Sequence, residues 1–156
     1  MLRLVPKGGS WKQGSTGLEL MLVRKKDKEV KELILIIEDN DLLRSIFFDF
    51  LELENYNVIS AEDGYRGLHL AKKLKPDLIL CDINMPNLDG YEVLKKLRAD
   101  FSIAETPFIF ITSETDSNSY YRALQLGAND YLIKPISMSQ LLEAITNQFK
   151  QQVYSV

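Results

Sequence analysis

Cysteine and histidine each occur once in the 156-residue chain, as Cys81 and His69. A single cysteine excludes an internal disulfide framework, so nothing points to an oxidising compartment. A single histidine excludes a multi-histidine metal site and any relay between two histidines of one chain. His69 falls in the middle of a helical pattern and reads as a surface residue. Cys81 closes an apolar run, where free cysteine behaves as a small apolar residue. No stretch approaches the roughly 20 apolar residues of a membrane-spanning helix. The N-terminus also lacks the basic run and long apolar segment of a secretory signal. A cytoplasmic location is the expectation. Internal repeats and low-complexity runs are missing too, which leaves one domain's worth of ordinary globular sequence.

Charge is unevenly spread. The net formal charge of -3 hides eight Lys/Arg against four Asp/Glu in residues 1–32, and eleven against eighteen in residues 33–156. Nucleic-acid backbones reward dense Lys/Arg, so the acidic part is not expected to bind nucleic acid directly. The shift marks a boundary near residue 32, between a basic N-terminal extension and a domain over 33–152. Within the extension, 7–17 is rich in Gly, Ser and Lys around Trp11 and reads as flexible. Residues 18–33 have helix-forming composition, with Leu18, Met21, Leu22 and Val30 as a narrow apolar stripe.

From Leu33 on, short apolar runs alternate with helix-period segments. Strands are expected at 33–37, 58–61, 77–81, 107–111 and 130–133. Helices are expected at 41–55, 64–74, 91–98, 117–126 and 137–151. In the first helix Leu42, Ile46, Phe47, Phe50, Leu51 and Leu53 fall at helical spacing; in the second, Leu68, Ala71 and Leu74 do. Pro76 stops the second helix, the 86–90 stretch Pro-Asn-Leu-Asp-Gly is turn chemistry, and Gly127 closes the fourth helix. Strict strand–helix alternation with short connections implies α/β architecture, a parallel sheet between two helical layers. Ligands of such sheets gather at the carboxyl ends of the strands.

Those ends carry the polar residues. Strand one runs into Glu38-Asp39, strand three into Asp82, strand four into Thr112-Ser113 and strand five into Lys134-Pro135. Three crowded carboxylates repel one another unless a cation intervenes. Mg²⁺, a hard ion that keeps several waters, suits an open oxygen-lined rim. A lysine and a hydroxyl on the same rim are what a phosphoryl group needs, and the Asp82 carboxylate is a plausible nucleophile that would become an acyl phosphate. Each residue alone has a plain alternative: a helix cap, a solvated loop, a turn dipeptide. Their joint occurrence at successive strand ends carries the chemistry.

Four blocks then resemble the signature of response-regulator receiver domains. They are Leu35-Ile36-Ile37-Glu38-Asp39-Asn40; Cys81-Asp82-Ile83-Asn84-Met85-Pro86-Asn87-Leu88-Asp89-Gly90; Ile111-Thr112-Ser113-Glu114; and Gly127-Ala128-Asn129-Asp130-Tyr131-Leu132-Ile133-Lys134-Pro135. The resemblance implies a doubly wound (βα)5, flavodoxin-like three-layer sandwich of strand order 2-1-3-4-5. It implies Asp82 as phospho-acceptor, Asp39 as direct Mg²⁺ ligand, Glu38 acting through water and Asn84 through its backbone carbonyl. Thr112 and Lys134 would contact the phosphoryl oxygens, with Lys134–Pro135 cis. Tyr131 would be the aromatic switch coupled to Thr112, while Asn84 and Glu114 would tune phosphoryl lifetime. The implied function is a phosphorelay switch rather than an enzyme with its own substrate. A histidine kinase or histidine phosphotransfer protein would be the donor, and a separate effector protein the reader, since no output domain follows the fifth helix. Tyr120 and Tyr121 would lie near the partner face. Oligomeric state is left open, although 137–151 lacks the arginines of one known ion-pair dimer.

Two other functions fit less well. An aspartate-nucleophile phosphatase would place its nucleophile after strand one, with a second acid two positions on, where Asn84 stands here. A flavin module needs a hydroxyl- and glycine-rich loop after strand one, and Glu38-Asp39-Asn40-Asp41 is anionic instead. Lys72, Lys73 and Lys75 read as a solvated helix face.

Overall fold

A computed structural model describes residues 30–154. The expectations for the extension lie outside the described residues, except at 30–32, which lead into the first strand without helix and leave Val30 exposed. Five strands, β1 (Leu33–Ile37), β2 (Asn57–Ala61), β3 (Leu78–Cys81), β4 (Phe108–Thr112) and β5 (Asp130–Ile133), alternate with five helices. These are α1 (Asp41–Leu53), α2 (Gly64–Leu74), α3 (Gly90–Arg98), α4 (Ser117–Gln125) and α5 (Met138–Tyr154). Every pairing is parallel and the sheet order is β2-β1-β3-β4-β5, as expected.

Strand side chains point alternately to opposite faces, and both faces are covered. Leu35, Ile37, Ile79, Cys81, Phe108 and Phe110 pack against Leu68 and Ala71 of α2, Val93, Leu94 and Leu97 of α3, and Ala123 of α4. Ile34, Ile36, Leu78, Leu80, Ile109 and Ile111 pack against Phe47 and Leu51 of α1 and Leu141, Ala144 and Ile145 of α5. This is why the strands read as unbroken apolar runs rather than alternating ones. Four helices start identically: Asn40, Asp63, Asp89 and Asp116 each accept the backbone N–H three residues on, satisfying an orphan donor of the first turn.

Boundaries differ from expectation by a residue or a few, each for a local reason. Helix α1 stops at Leu53 because Asn55 adopts φ 71°, a left-handed turn that leads into β2. Strand β4 begins after Pro107, which has no N–H to give, and keeps Thr112 because the Lys134 N–H bonds its carbonyl at 2.8 Å. The apolar stripes also need correction. Leu42, Ile46 and Leu53 of α1 are exposed, as is Leu74 of α2, while Gly64 and Gly67 take its place inside. A helix as uniformly apolar as α1 has more large side chains than one buried face can hold.

Arg98 ties the lower rim together, donating to the carbonyls of Ala104, Thr106 and Gly127 and to Asn129 Oδ1. Asn129 Oδ1 accepts the Phe108 N–H as well, so the same cluster fixes where β4 begins. Gly127, with φ 93°, allows the tight exit from α4.

The start of α3 approaches β3 so closely that a Cβ on Gly90 would lie 2.3 Å from the Asp82 carbonyl oxygen, a backbone atom that cannot swing aside. On Gly67 the first obstacle is the end of the Ile37 side chain, at 2.4 Å. Gly90→Ala is therefore expected to cost about 1–3 kcal/mol or more in urea denaturation, and Gly67→Ala clearly less; equal losses would contradict the packing described.

Candidate functional site

The strand order reverses between β1 and β3, and the polar cluster sits at their carboxyl ends, where an open α/β sheet forms its crevice. Glu38 follows β1 directly, and its N–H bonds the Ala61 carbonyl at 3.1 Å; Asp82 follows β3, and its N–H bonds the Ile37 carbonyl at 3.0 Å. The sheet ladder thus places these two acids side by side. Carboxylate oxygens of Glu38, Asp39 and Asp82 all lie within 4.8 Å of one another. Glu38 and Asp82 are buried, whereas Asp39 faces solvent.

Lys134, just past β5, reaches across the rim. Its Nζ lies 2.9 Å from Glu38 Oε2 and 3.5 Å from Asp82 Oδ2. The Lys134–Pro135 peptide is cis. Glu38 is held further by the Asn40 N–H on Oε1, and its carbonyl accepts from Arg44, which also pairs with Asp41. Burial nevertheless raises the carboxyl pKa of both Glu38 and Asp82 above the ordinary range, with Lys134 opposing the shift in each case. The protein thus makes the charged form of this pair costly. A hard cation with oxygen ligands is the group that would relieve it, and three carboxylates at an open rim fit Mg²⁺ in donor type and charge. Asn84 is exposed on the turn that follows Asp82.

Thr112 is fully buried at the end of β4, and its Oγ1 accepts the Glu114 N–H at 3.2 Å. Tyr131 of β5 is half-buried and donates its hydroxyl to the Glu114 carbonyl at 2.9 Å; burial and neighbouring anions push its pKa up to about 12. Its ring meets Phe110 and Tyr120 edge-on. Sequence reasoning overlooked Tyr91, whose hydroxyl lies 3.1 Å from Glu114 Oε2, and Arg44, which braces Glu38. Nothing distinguishes Tyr91 in the sequence from an ordinary apolar position early in a helix. His69, Lys72, Lys73 and Lys75 are exposed, and Cys81 is buried, with burial raising its thiol pKa well above the ordinary value.

Because Asp82 binds a proton more readily in this site than in the unfolded chain, removing its charge is expected to stabilise the metal-free fold. Asp82→Asn should raise the melting temperature by a few degrees, the shift that about 1 kcal/mol gives a domain of this size. The sign follows from linkage: a raised carboxyl pKa means that the native state gains relative stability as pH falls. The gap between variant and wild type should therefore narrow as metal-free melts move from neutral pH toward the carboxyl range. A widening gap would contradict burial as the cause of the raised pKa.

Comparison with known proteins agrees with this geometry. The family model "Response regulator receiver domain" matches residues 34–146. The "Probable transcriptional regulator ycf27" of Porphyridium aerugineum is 40% identical over 111 residues, which cover 71% of this chain but 45% of the relative. The chain thus spans less than half the length of that protein. The "Polar-differentiation response regulator DivK" of Brucella anthropi is 37% identical over 112 residues, covering 72% of this chain and 91% of the relative. Among solved structures, the chemotaxis protein CheY4 of Vibrio cholerae superposes with a TM-score of 0.73 at 29% identity, covering 76% of this chain and 98% of that one. With the sheet order, the acidic rim and these matches in agreement, the chain belongs to the response-regulator receiver family of two-component signalling.

Proposed function

We propose that Asp82 accepts a phosphoryl group from a histidine kinase or a histidine phosphotransfer protein, and that the modified domain changes its affinity for a separate effector. The observation that carries this is the position of Lys134 Nζ, 3.5 Å from Asp82 Oδ2, on a rim where Glu38, Asp39 and Asp82 converge. In the transfer, an Asp82 oxygen attacks phosphorus and the bond from phosphorus to the donor's imidazole nitrogen breaks. The electron pair of that bond leaves with the nitrogen. Mg²⁺, held by Asp39 and Asp82, by the Asn84 carbonyl and through water by Glu38, would supply charge neutralisation for the phosphoryl oxygens. Lys134 and the Thr112 hydroxyl take the remaining oxygens, and Asn84 and Glu114 govern water access and so phosphoryl lifetime.

A donor imidazole that reaches Asp82 must cover the rim, and α1 begins two residues beyond Asp39. Its exposed Leu42, Ile46 and Leu53 extend an apolar stripe from that rim, suited to hold the donor protein. The reader would engage the α4–β5–α5 face, where Tyr120, Tyr121, Leu124 and Ile133 are exposed. Thr112 and Tyr131 would couple the site to it. The domain acts as a cytoplasmic relay that catalyses only its own phosphorylation and dephosphorylation. No helix among the described residues is long and apolar enough to cross a membrane.

Acetyl phosphate with Mg²⁺ is expected to label Asp82, and chelation of the metal to abolish labelling; a persistent label in Asp82→Asn would sink the assignment. Lys134→Ala should slow labelling about a hundredfold, the scale of losing one donor to a transferring group's oxygens. An unchanged rate would remove Lys134 from the mechanism.

A further inference from the structure

Glu114 is gripped from three directions. Its N–H donates to Thr112 Oγ1 at 3.2 Å and its carbonyl accepts the Tyr131 hydroxyl at 2.9 Å. Its carboxylate Oε2 lies 3.1 Å from the hydroxyl of Tyr91, which also lies 3.3 Å from the Ser119 carbonyl in the first turn of α4. The Tyr91 ring is itself locked. It is buried, meets Phe110 edge-on at 5.5 Å between centroids, and is covered on one face by the Arg122 guanidinium at 4.1 Å. Tyr91 thus stands on a rigid helix whose start abuts the Asp82 carbonyl, while Glu114 stands on the loop between β4 and α4.

We propose that Tyr91 is a positioning residue for the phospho-acceptor site: its hydroxyl holds the Glu114 carboxylate and so restrains the loop that must follow Thr112 when Thr112 engages a phosphoryl oxygen. This rests on Asp82 being the phospho-acceptor. The Glu114 N–H binds the same hydroxyl that contacts the phosphoryl group, so displacement of Thr112 pulls on the loop. The Tyr91 tie anchors that loop to α3 and opposes the pull. A hydrogen bond from a neutral hydroxyl to a carboxylate is among the stronger kinds, so it can bias a two-state loop by an amount that binding experiments resolve.

The probe is beryllofluoride with Mg²⁺, a phosphoryl mimic titrated calorimetrically into the full chain. Tyr91→Phe keeps the ring, its Phe110 contact and the Arg122 stacking but deletes the hydroxyl. It is expected to tighten binding about three- to tenfold, as loss of one restraining hydrogen bond allows. Glu114→Gln weakens the same tie from the other side, at a half-buried loop residue. It should tighten binding by a smaller factor, and it carries the test should Tyr91→Phe fail to fold. The double variant should gain no more than the larger single effect, since Glu114→Gln acts on a tie that Tyr91→Phe already removes. A purely structural role for Tyr91 would lower the melting temperature without tightening binding. Unchanged or weaker binding by Tyr91→Phe, or fully additive effects, would overturn the proposal while leaving Asp82's role intact. Failure of the wild-type protein to bind the mimic would overturn both.

Discussion

The sheet forces a juxtaposition of like charges. Neighbouring strands in a sheet lie about 4.8 Å apart, so acids that leave β1 and β3 at the same rim cannot move away from each other. Glu38 and Asp82 are both buried there, Asp39 is adjacent, and one ammonium, that of Lys134, faces two of the three. Losing water costs each buried carboxylate several kcal/mol, and a single lysine offsets only part of that. The site is thus stable because the rest of the domain imposes it. The apolar layers on both faces of the sheet, with β3 and β4 fully buried, supply the cohesion that holds the charges in register.

The same constraint organises what surrounds the acids. Neutralising the rim, by a proton or by a cation, relieves the cost of these crowded buried carboxylates. Among the described residues, no buried side-chain polar atom lacks a hydrogen-bond partner. Thr112, Glu114 and Tyr131 form a hydrogen-bonded chain leading away from the rim, so changes in charge there meet a connected path and not isolated side chains. Tyr91 adds an anchor from the opposite side of that path.

Much of this was legible in the sequence because strand ends are. A β-branched run followed by an acid, a hydroxyl or a lysine locates that residue to within a position or two, and parallel alternation brings all such ends to one rim. Glu38, Asp39, Asp82, Thr112 and Lys134 are located in this way; the structure brings Glu38, Asp39, Asp82 and Lys134 together, and Thr112 ends the neighbouring strand β4. Interactions between side chains and distant carbonyls left no such trace. Arg98 is only the last residue of an expected helix, yet it bonds four acceptors on two separate loops. The faces of α1 were equally hidden, because periodicity cannot rank eight large apolar residues in thirteen. Only the packed sheet decides that Phe47 and Leu51 turn inward while Leu42, Ile46 and Leu53 do not.

Cys81 is the last residue of a central strand, immediately before the acid on which the proposed chemistry turns. Its sulfur is sealed from solvent, lies 3.1 Å from the Asp82 carbonyl, and resists ionisation. Since it is the sole thiol of the chain and points into the layer formed with α2, α3 and α4, a thiol reagent can reach it only when that layer opens. The molecule therefore carries a native clock for the opening of its own centre: the pace of thiol modification measures how often the helical layer lifts from the sheet beside Asp82, and how far a bound cation or phosphoryl group slows it.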